Sequence, residues 1–269
     1  MEAKELTDLE KLELLQLLLV HRINAAGSEG LIARIAESVS SHEQREIAIT
    51  MASRYLTSLG KREEAETLIH RHLTGAVEAT ALALVGTEII KSNPSEGAAY
   101  LQQARNMLHE VEDAEDRVPL LQHLVDGYLT LNQNSTAWDL AKQISNPSER
   151  VYTLVNLAKQ LWDKRDVETA ERVLLDARAS VGETTPSDRA DTLDDIARLL
   201  AHMGRETDAL NAWEEAVKFA DESPDPPKLL LMICTGLTSI GLRERAREIA
   251  MLIQNDARKA QALETIGQQ

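Results

Sequence analysis

The sequence predicts an all-α protein of about 13–15 helices that stack as antiparallel hairpins. Composition is the first reason: 43% of residues are hydrophobic but only 3% are aromatic, whereas sheets favour β-branched and aromatic side chains. Helical periodicity is the second. Apolar residues at Leu193, Ile196, Ala197, Leu200 and Ala201 share one face of a helix. The third reason is a spacing between helix breaks and alanines that recurs along the chain.

Helix starts are marked by a tetrapeptide, Asn-Pro-Ser-Glu, at Asn93–Glu96 and Asn146–Glu149. Asn caps a helix, Pro fits its first position, and Glu favours the positive end of the helix dipole. The copies lie 53 residues apart, about one and a half hairpins of roughly 36 residues. We therefore expect one copy to begin the second helix of a hairpin and the other the first. Related starts are at Ser41, Thr185 and Asp225.

A break residue followed five positions later by Ala occurs six times, at intervals of 33 to 39 residues. Four residues before each break is a bulky apolar residue, and seven before is usually a small one. Small residues let two helices approach closely while larger ones fill the space beside them. The pattern therefore predicts six hairpins. The pairs are Gly60/Ala65, Asn93/Ala98, Asn132/Ala137, Arg165/Ala170, Gly204/Ala209 and Gly241/Ala246.

This pattern resembles the tetratricopeptide repeat, a helix-turn-helix unit with small residues at fixed places. The best match is Leu193–Pro224, and the resemblance covers roughly residues 42–269. It implies a right-handed α-solenoid whose first helices line a concave, peptide-binding groove. The matching residues are Leu193, Ala197, Leu200, Gly204, Ala209, Trp213, Ala216 and Pro224.

Three regions follow from this organisation. Residues 1–40 are expected to form a helical pair, a diverged repeat or a cap, with helices at about 5–23 and 28–39. Residues 41–255 hold the six hairpins, and 256–269 form a capping helix or the start of a further repeat. The first helix carries a leucine stripe that either packs on the first repeat or forms a dimer contact. The stripe comprises Leu6, Leu9, Leu12, Leu15 and Leu19 and is widened by Leu14, Leu17 and Leu18.

Charge and cysteine content limit the partners and the compartment. The formal net charge is −15, so nucleic acid and anionic membranes are not expected to bind. A protein or peptide partner, a basic one in particular, fits this charge. The N-terminus lacks a basic signal-peptide start, and the chain has one cysteine, so a cytoplasmic location is expected. The oligomeric state is left open.

No set of residues points to catalysis, a cofactor or a metal site, so we expect a protein that is not an enzyme. Cys234 occupies a small-residue place and is expected to be a buried packing thiol. Trp213 is expected in the core. Asp188, Asp191 and Asp195 share a helical face, which suits a cation or a basic peptide as well as plain solvation.

The resemblance implies that groove-facing positions on the first helices contact a peptide. Trp162, flanked by Lys159 and Arg198, is either an exposed binding anchor or a packing residue between repeats. The expected function is a non-catalytic protein-interaction scaffold, and the alternative is a small-ligand or peptide sensor. The groove positions are Arg54, Thr87, Asp126, Tyr152, Val155, Lys159, Trp162, Asp191, Asp194, Arg198 and His202.

Overall fold

The structure is a computed structural model that describes residues 6–21 and 29–268. The described residues form α-helices and two short 3₁₀ turns, without a strand. By its internal contacts the chain divides into two compact units, Met1–Leu140 and Ala141–Gln269. The predicted all-α class and helix number are confirmed.

In the first unit, two first helices each pack against their own partner and against the next first helix. Thus α3 packs on α4 and α5, and α5 packs on α6 and α7. The helices are α1 (Asp8–His21), α2 (Glu29–Glu37), α3 (His42–Ser58), α4 (Arg62–His72), α5 (Gly75–Ile90), α6 (Pro94–Met107), α7 (Arg117–Thr130) and α8 (Asn134–Ala141), which ends at the unit boundary.

The second unit repeats this packing. There α9 packs on α10 and α11, α11 on α12 and α13, and α13 on α14 and α15. The 3₁₀ turns at Val181–Glu183 and Ala220–Glu222 lie in the connections between hairpins. The helices are α9 (Pro147–Asp163), α10 (Val167–Ser180), α11 (Pro186–His202), α12 (Glu206–Lys218), α13 (Pro226–Ser239), α14 (Arg243–Ala250) and α15 (Asp256–Gln268).

The turn inside a hairpin is built the same way at five of the six predicted breaks. The break residue has a positive φ, for example 79° at Gly60, and the next backbone N–H, that of Lys61, donates to the carbonyl of Leu56 at 2.9 Å. This is a Schellman cap, which satisfies carbonyls at the helix end. The other four caps centre on Asn132, Arg165, Gly204 and Gly241.

The sixth break differs, and the prediction that Ala98 marks the close contact is wrong. Asn93 has a φ of −145° and caps α6, accepting a hydrogen bond from the Glu96 N–H at 3.3 Å. Gly97 is buried while Ala98 is half-buried. The α5–α6 contact therefore falls on Gly97, one residue earlier than the repeat pattern placed it.

The helix-start predictions are confirmed where a side chain caps the helix. The two Asn-Pro-Ser-Glu copies begin α6, the second helix of its pair, and α9, the first of its pair. Thr185 and Asp225 also cap with their side chains. Ser41 lies at the start of α3 without a side-chain cap, and its N–H donates instead to Asp8 Oδ2 at 3.3 Å.

The first helix pair is shorter than predicted, since α1 begins at Asp8 and α2 ends at Glu37; residues 1–5 and 22–28 lie outside the described residues. Leu15 and Leu18 of α1 are buried, and α1 packs on α3. Leu9, predicted within the packed stripe, is 64% exposed. The buried face is therefore centred on Leu15 and on Leu18, one of the leucines that widen the predicted stripe, because these two residues lie on one side of the helix.

One prediction concerns Arg165, a non-glycine residue with a φ of 69°. A side chain in this left-handed region costs about 1 kcal/mol or more. We expect Arg165→Gly to raise the free energy of unfolding by about 0.5–1 kcal/mol, because part of the gain is offset by the entropy of Gly in the unfolded chain. Urea denaturation measures the change.

The matched control is Gly204→Ala. Gly204 has a φ of 75°, and an added Cβ would meet nothing within 4 Å, so only backbone strain changes. It should lower the unfolding free energy by about 1 kcal/mol. If both substitutions destabilised the protein equally, the Arg165 side chain rather than its backbone would determine the result.

Candidate functional site: an acidic pocket on α11 and α13

In the first unit, the structure brings two of the predicted groove residues to one imidazole. Arg54 on α3 and Asp126 on α7 both act electrostatically on His123 of α7. Burial lowers the pKa of His123, Asp126 opposes that shift, and Arg54 adds to it. Thr87 of α5 donates its hydroxyl to the Ala83 carbonyl at 2.8 Å. These groove positions therefore lie along successive first helices.

In the second unit, α9 carries four of the predicted residues, and one of them, Val155, is buried at 7% exposure rather than open to a groove. Tyr152 is 52% exposed and Lys159 is exposed, but Trp162 is only half-buried rather than fully open to solvent. The Nε2 atom of His202, on α11, lies 2.7 Å from the Oδ1 atom of Asp163. Tyr152 is thus more exposed to solvent than Trp162, the aromatic residue that the sequence analysis singled out.

Asp194 is corrected from a peptide-contacting residue to a buried structural one. It is 1% exposed. Its Oδ1 accepts from the indole Nε1 of Trp213 at 2.8 Å, and its Oδ2 accepts from Nε of Arg198 at 2.7 Å. Trp213 is fully buried, as predicted. Each oxygen of the Asp194 carboxylate therefore already accepts a hydrogen bond. The bond to Trp213 links α11 to α12.

Asp191 and Asp195 flank this buried group and line a pocket of about 310 Å³ between α11 and α13. The connection between the 3₁₀ turn at Ala220–Glu222 and α13 lines one end, and α13 forms the far wall. The remaining lining residues are Asp194, Ser223, Pro224, Asp225, Lys228, Leu229 and Met232.

The carboxyl groups that line this pocket differ in the direction of their pKa shifts. Burial and the nearby Asp194 charge raise the pKa of Asp195 to about 6. Burial, Asp194 and Asp188 also raise the pKa of Asp191, although Lys228 and Ser223 oppose the shift. Asp225 differs, because its hydrogen bond to Arg258 lowers its pKa. The surroundings of both Asp191 and Asp195 therefore disfavour the ionised carboxylate.

The sequence analysis identified Asp191 and Asp195 but not the residues of α13 on the opposite side of the pocket. Lys228 and Met232 lie three and seven residues after Asp225, which caps α13. The predicted helix start at Asp225 was therefore the one feature of the sequence that could have placed them on this helix. Ser223 and Pro224 belong to the connection between α12 and α13. Such connections differ in length along the chain, so a periodic sequence pattern gives no position for these two residues. Their role depends on how α13 packs against α11.

The raised pKa of Asp195 leads to a prediction about stability and pH. A carboxyl with a folded pKa near 6 binds protons more tightly when folded, so stability falls as pH rises from about 4 to about 6. We expect Asp195→Asn to raise the unfolding free energy at pH 7 by about 1–2 kcal/mol after allowance for partial solvent screening. At pH 4 the gain should vanish. Urea unfolding at both pH values measures it.

The control is Asp221→Asn, an exposed carboxylate just outside the pocket. It should change the unfolding free energy by less than about 0.5 kcal/mol at either pH. A gain from Asp195→Asn that is equal at pH 4 and pH 7 would show that packing rather than charge accounts for the effect.

Other chemical groups of the described residues do not form a second centre. The thiol of Cys234 is buried, as predicted, and donates to the Ala246 carbonyl at 3.3 Å; burial raises its pKa to about 12. Within residues 6–21 and 29–268, no group of three or more His, Cys, Asp and Glu is placed to hold a metal ion. Across the same residues, no helix has the length and apolar character needed to cross a membrane.

Comparison with known proteins gives little beyond this geometry. No protein-family model matches the chain, and no curated protein matches it. Among solved structures, the crystal structure of Ton1535 from Thermococcus onnurineus NA1 is similar at 14% sequence identity, with 96% of this chain and 92% of that chain covered and a TM-score of 0.39. A likeness at this level carries no argument about fold or function.

Proposed function

We propose that the protein is a non-catalytic interaction module that binds a peptide or helix of a partner protein along its first helices. In this proposal a basic group of the partner enters the pocket beside Asp191 and Asp195. The observation that carries it is the raised pKa of both carboxyls at the edge of a pocket. Perturbed titratable groups in a concave site mark candidate functional sites.

The arrangement of the helices supports a groove. In the second unit the first helices α9, α11 and α13 pack successively, and each also packs on its own second helix. We infer that the hairpins within each unit stack as a tetratricopeptide-like, right-handed solenoid whose first helices form the concave face. Repeats of this kind bind extended ligands on such a face.

Electrostatics favour a cationic group in this pocket. A Lys or Arg side chain near Asp191 and Asp195 would stabilise their ionised forms, which burial and mutual repulsion disfavour. The chain's net charge of −15 also speeds the approach of a basic partner, particularly at low salt. Asp194 remains paired with Trp213 and Arg198, so the binding role falls on the two outer carboxylates.

The size and walls of the pocket suit a long basic side chain. A volume of about 310 Å³ lies at the lower end of the range for ligand pockets, roughly 300–1,000 Å³. Leu229, Met232 and Pro224 supply apolar surface beside the carboxylates. A Lys or Arg stem packs on such surface while its charged end reaches a polar group.

A peptide array tests this proposal. Wild-type protein is expected to select peptides rich in Lys or Arg, and Asp191→Asn/Asp195→Asn should lose that selection. The matched control, Asp221→Asn/Glu222→Gln, removes two exposed carboxylates outside the pocket and should keep it. Equal loss of selection in both double variants would leave only the overall charge as the cause and would end the proposal.

A thermal-shift experiment distinguishes a protein partner from a small ligand. Peptides selected on the array should stabilise the wild-type protein in proportion to their affinity. N-acetyl-lysine amide, which carries the same cation without a peptide, should give no comparable shift. A comparable shift from this small amine would instead support a sensor of small cationic ligands.

A further inference from the structure

Helix α1 of the first unit has a second apolar face, which is exposed to solvent. Leu9, Leu17 and Val20 are 64%, 51% and 65% exposed, whereas Leu15 and Leu18 are buried on the side where α1 packs on α2 and α3. An α-helix turns by about 100° per residue, so the exposed side chains lie opposite the buried pair. We propose that this exposed face binds the same face of a second copy of the chain, with the two α1 helices antiparallel.

Contacts on the buried side of α1 fix the direction in which this face points. Lys11 is buried, and its Nζ donates to the Ser38 carbonyl at 2.8 Å. The helix start is fixed by a capping box, in which the Glu10 carboxylate accepts from the Thr7 N–H at 2.8 Å and Thr7 Oγ1 accepts from the Glu10 N–H at 3.3 Å. Turning α1 to bury its exposed side chains would break the Lys11 contact, so these side chains stay available to a partner.

The exposed face is complementary to itself in one orientation. Glu13 and Gln16 are exposed between Leu9 and Val20, and the four positions follow the alternating steps of four and three residues that form a coiled-coil seam. In an antiparallel pair with its two-fold axis midway along this seam, Leu9 faces Val20 of the second copy and Glu13 faces Gln16. Because a Gln amide donates hydrogen bonds and a carboxylate accepts them, the two polar side chains satisfy each other.

A parallel pair is disfavoured by the same residues. It would place Glu13 against Glu13 of the second copy in the middle of an apolar contact, where like charges repel. The helix of an unrelated partner would need a polar pair in the matching register, which a second copy supplies by symmetry. Two-fold pairing of one surface patch with itself is also the commonest arrangement in homo-oligomers.

The exposed apolar area fits a weak dimer. Leu6, Leu9, Leu17 and Val20 are between 43% and 65% exposed and form a contiguous patch, which marks an interaction site more clearly than scattered leucines do. A standard interface buries roughly 800 Å² per partner, more than this patch supplies, so we expect a Kd on the order of 10 μM. The net charge of −15 on each copy opposes association, so added salt should tighten the dimer.

Sedimentation equilibrium of the full chain at protein concentrations from about 1 to about 200 μM tests the inference. The wild-type protein should dimerise, and Leu9→Gln/Val20→Gln should weaken dimerisation by about tenfold or more. The matched control, Leu175→Gln/Met251→Gln, replaces two apolar side chains that are 65% and 63% exposed and should leave the Kd within about twofold. Far-UV circular dichroism checks that each variant is folded.

Disulfide cross-linking in air tests the orientation, and the native Cys234 is buried. Leu9→Cys/Val20→Cys should give a covalent dimer. Leu9→Cys alone should not, because the two copies of residue 9 lie about 16 Å apart along an antiparallel pair. The inference is overturned if the wild-type protein stays monomeric at every concentration, if the control double variant weakens dimerisation as much as Leu9→Gln/Val20→Gln, or if Leu9→Cys alone cross-links as well as the double variant.

Discussion

Gly97→Ala is expected to lower the free energy of unfolding by about 2–3 kcal/mol, because it forces apart the most closely packed backbones of a hairpin. A Cβ at Gly97 would lie 2.7 Å from the Gly86 carbonyl oxygen and 2.7 Å from the backbone nitrogen of Ile90. Backbone atoms cannot rotate away as a side chain can, so α5 and α6 must separate. Urea denaturation with a probe in the first unit measures the loss.

Gly267→Ala is the matched control. Gly267 lies in α15, and an added Cβ there would meet nothing within 4 Å. Ala is the better helix former by up to about 1 kcal/mol, so this substitution should be neutral or stabilising. The same Gly→Ala substitution is thus expected to change the free energy of unfolding in opposite directions at these two helical glycines. A mild effect at Gly97 would mean that α5 and α6 are further apart than the structure shows.

The second large effect is expected at the contact between Trp213 and Gly236. The Trp213 indole is fully buried, and a Cβ added at Gly236 would lie 2.9 Å from its Cε2 and Cη2 atoms. Trp213→Leu should lower the unfolding free energy by about 3–4 kcal/mol through the cavity it leaves. It also removes the hydrogen bond to Asp194. Gly236→Ala alone should cost about 2–3 kcal/mol, since the buried indole is fixed by its hydrogen bond to Asp194 and cannot easily move away from an added Cβ.

A double-mutant cycle separates this contact from general damage. In the Trp213→Leu background the space beside residue 236 is open, so Gly236→Ala should cost little or should stabilise. The coupling free energy between the two sites should then be about 2 kcal/mol. Additive losses would show that Gly236 is needed for its backbone conformation rather than for its closeness to the indole.

The hairpin turns were predictable from sequence because one local interaction fixes them. A left-handed residue at Gly60 or Gly204 and an apolar residue four positions earlier together form the Schellman cap, and both are visible in the sequence. Asn93 misled the repeat pattern because Asn is favoured both at helix ends and at helix starts. In the structure it caps α6, so its repeat runs one residue early.

The site was only half predictable, because its chemistry depends on contacts between helices. Asp194 and Asp195 are neighbours in sequence and both line the pocket, yet Asp194 is buried and accepts a hydrogen bond from Trp213 on the next helix, while Asp195 is half-buried. Helical spacing alone does not separate these roles, since the difference lies in what packs against each side of α11. The same holds for Lys228 and Met232, whose place opposite Asp191 is set by the packing of α13 on α11.

The central claim is that a basic group of a partner relieves the charge held at Asp195. Carbon-13 NMR of the Asp195 carboxyl during a pH titration, with and without a Lys-rich peptide selected on the array, tests it most directly. The carboxyl should titrate with a pKa of about 6 in the free protein and distinctly lower in the complex, because a nearby cation favours the ionised form. A carboxyl whose titration is the same with and without the bound peptide would contradict the claim.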